Sequence, residues 1–256
     1  MYTNIFDTHA HYDDERFSED IDNVLTALPA VGICHVVNCA THINSCEKSR
    51  LMASEYEYIY FAAGIHPHES GEAQEDFINE LKGFAAHEKC VAIGEIGLDY
   101  HYDFSPREIQ KSVFEKQLIL AKELSLPVII HDREAHSDTW ELLKKYKPQG
   151  IVHCFSGSVE MARDIVNLGM SIGLGGAVTF KNAKKPVDVA KYVPLDKLVL
   201  ETDCPYMSPV PFRGKRNDSS LIPYTAQFIA ELKGIPTQEL IDITTENAKN
   251  IFRILV

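Results

Sequence analysis

The chain has 256 residues, of which 45% are hydrophobic, and a formal net charge of −12 at pH 7. A chain of this length buries a large core, and α/β barrels of this size commonly form one domain, so we expect a single domain over residues 1–256. The acidic balance argues against a protein that coats DNA through its whole surface, but it is compatible with a nucleic acid substrate bound at a local site.

Neither a membrane segment nor a disulfide framework is expected. No apolar run approaches the span of a bilayer, and the first residues lack the basic and apolar regions of a signal peptide, so we expect a cytoplasmic protein without membrane contact. The cysteines have no C-x-x-C spacing, which favours reduced thiols packed as small hydrophobes. They are Cys34, Cys39, Cys46, Cys90, Cys154 and Cys204. A nucleophilic role is the alternative for Cys154 and Cys204, which directly follow candidate site residues.

Eight short runs of apolar or β-branched residues, bounded by polar turns, are predicted to be strands. They cover residues 4–9, 35–40, 58–64, 90–95, 127–131, 150–154, 170–175 and 197–202. Helical patterns cover residues 18–30, 44–56, 73–87, 134–146, 158–168, 184–192, 219–232 and 237–251. One more helix precedes the fifth strand, and Ser105 as N-cap, with Pro106 and Glu108 in the first turn, predicts its start.

This alternation of strand and helix predicts an α/β fold of the TIM type, a (β/α)8 barrel. The connections are too long for hairpins and the strands are nearly all apolar, which favours a closed parallel barrel over an open doubly wound sheet. In such a barrel the carboxyl ends of the strands converge on one mouth, so residues far apart in the sequence meet there.

The first strand places two imidazoles at that mouth. His9 and His11 are two residues apart on an extended segment, so both side chains point to the same face, where one metal ion can take both. Asp7 lies on the same face one layer deeper and could orient an imidazole or make a structural hydrogen bond. The alternative for the histidine pair is two hydrogen-bonded core side chains.

Three further strands end in candidate ligands. Glu95 ends the fourth strand between glycines, where a carboxylate can bridge two cations. His131 and His153 end the fifth and sixth strands. Either histidine alone would more often be a satisfied buried side chain, but their shared position in the repeat favours metal ligands.

The last strand and two loops supply the remaining candidates. Asp203 closes the eighth strand, where a carboxylate can ligate metal and accept a proton from water, and Glu201 lies one layer deeper. The alternative for Asp203 is a buried ion pair with Arg133 or Arg213. His66 follows the third strand and could donate to a substrate oxygen, whereas the neighbouring His68 could equally be a loop residue without function.

As a set, these strings resemble the TatD family of metal-dependent deoxyribonucleases, in the amidohydrolase-like superfamily. They occur in family order along nearly the whole chain. The strings begin at Asp7 (DTHAH), Gly64 (GIHPH), Gly94 (GEIGLDY), His131 (HDREA), His153 (HCFSG) and Glu201 (ETDCPY). The stretch from Arg213 to Asn217 is also similar, although Ser219 stands where the family usually has proline.

The resemblance implies two divalent metal ions at one site. One would be held by His9, His11, Glu95 and Asp203, and the other by Glu95, His131 and His153, with Glu95 as the bridge. Mg²⁺ is the expected working ion, and Zn²⁺ or Mn²⁺ could replace it in crystals. No obligatory protein partner is implied.

The implied activity is hydrolysis of phosphodiester bonds in DNA by metal-activated water. Single strands or duplex ends would be the substrate, cleaved as by an exonuclease. Asp203 and Glu95 would be the catalytic residues, with Asp203 taking a proton from the attacking water, while His66 and Arg133 would hold the phosphate.

Two other functions fit the same residues. A metal-dependent esterase or deacylase would use such a site to polarise a carbonyl instead of a phosphate. A non-catalytic scaffold that retains metal or binds nucleic acid is the third reading, which the presence of all six candidate ligands disfavours.

Overall fold

A computed structural model describes residues 1–254, and it contains all eight predicted strands in a single parallel sheet with the strands in chain order. The strands are β1 (Ile5–Ala10), β2 (Ile33–Cys39), β3 (Ile59–Ala63), β4 (Cys90–Asp99), β5 (Val128–Arg133), β6 (Gly150–Val152), β7 (Ser171–Leu174) and β8 (Leu198–Leu200). The predicted α/β barrel is therefore confirmed.

Hydrogen bonds just beyond β8 join the last strand to the first and close the sheet. Ala10 and Cys204 form a parallel bridge. The Asp203 amide donates to the His9 carbonyl at 2.9 Å, and the His11 amide donates to the Cys204 carbonyl at 2.8 Å. Because closure pairs the unpaired edges of the sheet, the residues that follow β8 are fixed beside the end of β1.

Helices cover the outer face of the barrel. They are α1 (Ile21–Ala27), α2 (Ile43–Glu55), α3 (Phe77–Ala85), α4 (Arg107–Leu124), α5 (His136–Tyr146), α6 (Val159–Asn167), α7 (Lys184–Tyr192), α8 (Ile222–Lys233) and α9 (Thr237–Phe252). The strands are buried on both faces, which explains why their sequences are continuous apolar runs rather than alternating ones. Within residues 1–254, no helix combines the length and the apolar composition needed to cross a bilayer.

A small apolar cluster fills the barrel interior. It includes Phe6, Val37, Ala62, Ala92, Ile129, Ile151 and Val199, one or more from most of the strands. At the amino ends of the strands, Phe252 of α9 packs against Phe6 with ring centroids 5.9 Å apart. His35 of β2 also contacts Phe6 there, with ring centroids 5.2 Å apart, so the amino end of the barrel is filled mainly, but not only, by apolar side chains.

Two predicted boundaries were wrong in ways that matter for the site. The prediction ended the fourth strand at Glu95, but β4 continues to Asp99. The prediction made Ser105 the N-cap of the following helix, but α4 begins at Arg107 and the Ser105 hydroxyl is used elsewhere. It donates to the His68 carbonyl at 2.8 Å and accepts from the Gly71 amide at 2.9 Å, so it joins two loops at the mouth.

Other helix boundaries differ by a few residues. The pattern over residues 18–30 covers α1 and a 3-10 turn, Leu28–Val31. The pattern over residues 134–146 begins at His136, and that over residues 219–232 begins with a 3-10 turn before α8. Each difference lies at a helix terminus, where tertiary contacts rather than periodicity set the first hydrogen-bonded residue.

Candidate metal centre

All six side chains predicted to bind metal lie together at the carboxyl ends of the strands. They are His9 and His11 from β1 and its end, Glu95 from β4, His131 from β5, His153 after β6 and Asp203 after β8. The alternation of strands explains two of these positions: His131 and His153 lie two residues beyond Ile129 and Ile151 of the interior cluster, so they share the inward face. Their role as ligands stays a prediction.

The Glu95 carboxylate lies between two groups of imidazoles and directs one oxygen at each. Its Oε2 is 3.4 Å from Nε2 of His9 and 3.5 Å from Nε2 of His11. Its Oε1 is 3.0 Å from Nδ1 of His131 and 2.7 Å from Nε2 of His153. Each oxygen of Glu95 therefore has two imidazole nitrogens within 3.5 Å.

Asp203 completes the first of these groups, which we call the seam group (His9, His11 and Asp203) because it lies where β1 meets β8. Its Oδ1 is 3.4 Å from Nε2 of His11 and 3.8 Å from Nε2 of His9. We call His131 and His153 the β5–β6 group; their facing nitrogens, Nδ1 and Nε2, are 3.4 Å apart. Both groups share Glu95.

The alternative for Asp203, an ion pair with an arginine at the mouth, is not formed among the described residues. The guanidinium of Arg133 lies over the Tyr102 ring, 4.7 Å from its centroid. The guanidinium of Arg213 lies over the Phe180 ring at 4.4 Å. Asp203 therefore faces the histidines instead of a fixed cation.

The imidazole rings of His11 and His131 each make a hydrogen bond on the side away from Glu95, and this bond turns the other ring nitrogen toward Glu95. Nδ1 of His11 donates to the Cys39 carbonyl at 2.8 Å, which leaves Nε2 of the neutral ring unprotonated. Nε2 of His131 lies 3.0 Å from Oδ2 of Asp99, which leaves Nδ1 unprotonated in the same way. An unprotonated ring nitrogen is what a metal ion requires, and such an outer hydrogen bond fixes the tautomer and the ring orientation.

His66 has the opposite tautomer and suits a different task. Its Nδ1 accepts a hydrogen bond from the His68 amide at 3.2 Å, so the proton of the neutral ring is on Nε2. That nitrogen lies 3.6 Å from Oε1 of Glu95. Burial lowers the pKa of His66 well below its usual value, which keeps the ring neutral. A neutral N–H at this point can donate to a substrate oxygen, and this role of His66 stays a prediction.

Sequence reasoning missed Asp99. It is buried, and its Oδ2 lies 3.0 Å from Nε2 of His131 and 3.0 Å from Nε2 of His68. Burial alone would raise the pKa of Asp99, but these contacts and the backbone donors outweigh it and lower the pKa. The alternation of side chains along a strand is the signal that could have found it, because Asp99 is four residues beyond Glu95 and so lies on the same face of an extended strand.

Gly97 allows β4 to pass close to the neighbouring imidazole. Its φ is +147°, and a Cβ placed there would lie 1.9 Å from the His131 carbonyl oxygen. A side chain at this position would displace the β5 backbone that carries His131. The absence of a side chain at Gly97 therefore allows β4 and β5 to lie this close together beside Glu95.

The charges of the centre draw positive charge to it. Burial by itself disfavours a charged imidazole, but the hydrogen bond to Asp203 and the charges of Glu95 and Asp203 outweigh it and raise the pKa of His11 to about 10. In the same way, Asp99 and Glu95 raise the pKa of His131 to about 9. His9 is the exception, because burial and the nearby His153 lower its pKa to about 4. Carboxylates that favour a bound proton this strongly also favour a bound cation.

The donor set fits divalent metal ions. Three sets of three ligand atoms lie within 4.8 Å of one another: His9, Glu95 and His153; His9, His11 and Asp203; and His66, Glu95 and His131. Imidazole nitrogen together with carboxylate oxygen is the combination that first-row divalent metals and zinc take. The tautomer of His66 argues for a donor rather than a ligand at its position in the third set.

Two buried carboxylates lie one layer deeper. Oε1 of Glu201 accepts from the Cys154 amide at 2.5 Å and lies 3.9 Å from Nδ1 of His153. Burial raises the pKa of Glu201 to about 8. Asp7 does not contact an imidazole ring: its Oδ2 accepts from the hydroxyls of Thr202 and Ser219. Asp7 therefore fastens the seam of the barrel, and Ser219 supplies a hydroxyl that proline would lack.

The two cysteines beside the site lack the features of nucleophiles. Cys204 is fully buried, and burial raises the thiol pKa of both Cys154 and Cys204 well above the usual value. An activated thiol has a lowered pKa instead.

Comparison with known proteins gives a consistent set of relatives. A family model described as TatD related DNase matches residues 6–253. The chain is 46% identical over 253 residues to the uncharacterized metal-dependent hydrolase YabD of Bacillus subtilis strain 168, covering 98% of this chain and 99% of the relative. It is 32% identical over 259 residues to the 3'-5' ssDNA/RNA exonuclease TatD of Citrobacter rodentium, covering 98% of each chain.

A solved structure agrees over the whole fold. The crystal structure of YJJV, a TatD homolog from Escherichia coli K12, superimposes with a TM-score of 0.94 at 33% sequence identity. The match covers 100% of both chains.

Proposed function

Because the chain belongs to the TatD family of metal-dependent hydrolases, we propose that it hydrolyses phosphodiester bonds in DNA, releasing nucleotides from the end of an unpaired strand. Relatives named for this activity act on single-stranded DNA and RNA, which supports an unpaired strand as the substrate. We further propose that the ions are two, that Mg²⁺ is the working metal, and that the protein acts in the cytoplasm as one domain without an obligatory partner.

The observation that carries the proposal is the position of the Glu95 carboxylate. One oxygen faces the imidazoles of the seam group and the other faces those of the β5–β6 group, at distances of 2.7 to 3.5 Å. We propose that His9, His11, Asp203 and Glu95 hold one ion and that Glu95, His131 and His153 hold the other. When bound, such ions neutralise phosphate charge and make water a nucleophile at neutral pH.

Asp203 is the proposed proton acceptor. The hydrogen bond and the charges of His11 and its neighbours outweigh burial and lower the pKa of Asp203, so the carboxylate is ionised at neutral pH. Oδ1 faces the seam histidines, while Oδ2 makes no hydrogen bond to any residue within 1–254. Oδ2 can therefore orient a water molecule for attack on phosphorus and accept its proton.

His66 and Arg133 are the proposed phosphate-binding residues. The neutral Nε2–H of His66 points into the centre beside Glu95 and can donate to a non-bridging oxygen. The Arg133 guanidinium lies over the Tyr102 ring and pairs with no carboxylate among the described residues, so its N–H donors are available at the mouth. The buried N–H of His66 is fixed in advance and can stabilise the charge that builds up on a phosphate oxygen in the transition state. Arg133 at the mouth binds the phosphate equally in the ground state and in the transition state, and so contributes to affinity.

The test uses single-stranded oligonucleotides labelled at the 5′ or the 3′ end. We expect protein stripped of metal to be inactive and Mg²⁺ to restore stepwise shortening from one end. Cleavage only at internal sites would overturn the exonuclease assignment, and no cleavage of any strand would overturn the nuclease assignment.

A pair of small substrates separates phosphodiester from carbonyl chemistry. We expect turnover of bis-p-nitrophenyl phosphate to exceed turnover of p-nitrophenyl acetate, and both to depend on added metal. The reverse preference would favour an esterase or deacylase.

A further inference from the structure

Two aromatic rings stand exposed beside the candidate metal centre, on the loop between β4 and α4. Phe104 is 68% exposed, which makes it the most exposed aromatic side chain of the described residues, and Tyr102 is 48% exposed. The two rings stack at 5.3 Å between centroids with an interplanar angle of 24°. Exposure of this much aromatic surface costs free energy in water unless a ligand covers it, so it points to recognition.

The loop that carries these rings is held at both ends by hydrogen bonds to the buried side chains of Asp99, Gln110 and Ser105. Oδ1 of Asp99 accepts from the amides of His101 and Tyr102 at 3.0 and 2.8 Å. At the other end, Gln110 donates to the Ser105 carbonyl at 2.7 Å, and the Ser105 hydroxyl is fixed to the neighbouring loop. The exposed rings are therefore positioned in advance, and a ligand that stacks on them pays little ordering entropy.

The same side chains connect the rings to the metal centre. Asp99 directs its other oxygen at His131 and at His68. The His68 ring in turn packs edge-on against Phe104 at 4.9 Å and against Tyr102 at 5.3 Å. The aromatic pair is thus connected through His68 to Asp99, which contacts the candidate ligand His131 and also anchors the loop that carries the rings.

A cation completes the surface. The guanidinium of Arg133 lies 4.7 Å from the centroid of the Tyr102 ring, and none of its nitrogens is paired with a carboxylate within residues 1–254. A flat aromatic face next to an arginine and beside a phosphate-binding centre matches the two parts of a nucleotide, the base and its phosphate.

We propose that Tyr102, Phe104 and Arg133 form a stacking subsite that takes an unpaired base adjacent to the scissile phosphate. Phe104 offers the exposed face, Tyr102 supports it, and Arg133 contacts the phosphate on the same nucleotide. This inference rests on the proposed function and deepens it, because a base can stack here only when it is free of its partner strand. The subsite therefore selects single strands and frayed ends over paired duplex.

The test compares strands that differ by one base. One substrate is a short oligodeoxythymidylate. The other is the same strand with one nucleotide replaced by a tetrahydrofuran abasic residue, placed in turn on either side of the terminal phosphodiester. We expect the wild-type protein to prefer the complete strand at one of these positions by about ten-fold in kcat/KM, the usual contribution of one stacked base. Phe104→Ala should abolish this preference, so that the two strands have about the same kcat/KM, and Phe104→Trp should restore it.

Tyr192→Ala is the matched control. Tyr192 is 43% exposed at the end of α7, just before the chain enters β8 at the opposite end of the barrel. We expect this variant to keep the wild-type preference for the complete strand. A preference that is equal in the wild-type protein and in Phe104→Ala overturns the subsite, and so does a preference that Phe104→Leu retains in full.

Binding separates this inference from the proposed function. Fluorescence anisotropy of both strands, with Ca²⁺ in place of Mg²⁺, measures the base preference without turnover. Loss of the preference in Phe104→Ala supports the subsite even if no strand is hydrolysed, whereas hydrolysis with an unchanged preference retains the nuclease and rejects the subsite.

Discussion

The two groups of the candidate centre meet at Glu95, but the chain supports them in different ways. In the seam group, the ring of His11 is oriented by the main-chain carbonyl of Cys39. In the β5–β6 group, the ring of His131 is oriented by the carboxylate of Asp99. A carbonyl is part of the barrel itself, whereas a carboxylate can be changed by a single substitution.

The origin of the two groups differs as well. The seam group joins residues from the two ends of the chain, and the Asp203 amide is bonded directly to the His9 carbonyl. It therefore exists only when the barrel is closed. The β5–β6 group comes from neighbouring strands, with the His153 amide bonded to the Ile130 carbonyl at 3.0 Å. One group therefore depends on the global fold and the other on a local side-chain network, and substitutions can separate the two.

The shared residue should have the largest effect. Glu95→Gln keeps the shape of the side chain but replaces one oxygen with an amide nitrogen, which cannot bind a cation. We expect nuclease activity to fall below detection and the bound metal, measured by elemental analysis, to decrease in both groups. Retention of two ions per chain together with activity would contradict the shared role of Glu95.

Asp203→Asn should separate chemistry from folding. Asp203 has φ of +59°, a conformation that asparagine tolerates better than most residues, so the backbone at the seam should persist. Asparagine cannot accept the proton, and we expect kcat to fall by about 10² to 10⁴-fold, the range for loss of a general base. Circular dichroism and the melting temperature check that the fold is retained. Turnover of single-stranded DNA close to that of the wild type would remove Asp203 from the mechanism.

The fold and the ligand cluster could be predicted because both depend on position in a repeat. Each strand is a short apolar run, and the residue two places beyond an inward apolar residue must face the mouth, as for Ile129 and His131. The sequence could therefore place six side chains in one pocket before any contact was known.

The supporting network could not be predicted in the same way. Asp99 lies outside the predicted strand because the apolar run ends at Glu95, while β4 continues past a change of register between Ile93 and Ile96 to Asp99. Ser105 was assigned to a helix cap because its local pattern fits one, but its hydroxyl bonds to the His68 carbonyl, 37 residues away. A long-range contact such as that of Ser105 leaves no periodic signal, whereas Asp99 follows the strand alternation once β4 is known to continue past Glu95.

Asp99→Asn tests the local support of the β5–β6 group. The amide can still accept from the loop amides through its oxygen, but its NH₂ would face the N–H of His131 and remove the bond that fixes the tautomer. We expect the affinity for one of the two ions to fall by about 10 to 100-fold, as for other outer partners of metal ligands, and the other to be unchanged in calorimetric titrations.

Asp132→Asn is the matched control for this variant. Asp132 lies in β5 and, like Asp99, pairs with a histidine, but its partner His136, at 2.8 Å, is outside the centre. We expect its metal affinities to match the wild type. An equal loss of both ions in Asp99→Asn would show that the two groups are not supported separately.

The smallest expected effect comes from the arginines at the rim. Arg133→Gln should raise KM for single-stranded DNA about five-fold with little change in kcat, since an exposed charge contact contributes about 1 kcal/mol.

Arg16 also lies over an aromatic ring, that of Tyr206 near the seam group, but its Nε is 3.9 Å from Oδ1 of Asp14, which offsets its charge. Arg16→Gln should therefore change KM less than Arg133→Gln. The difference between the two variants should shrink as salt is added, because exposed charges are screened. Equal increases in KM for both variants would mean that the DNA strand contacts the rim equally on the side of the seam group and on the side of the β5–β6 group.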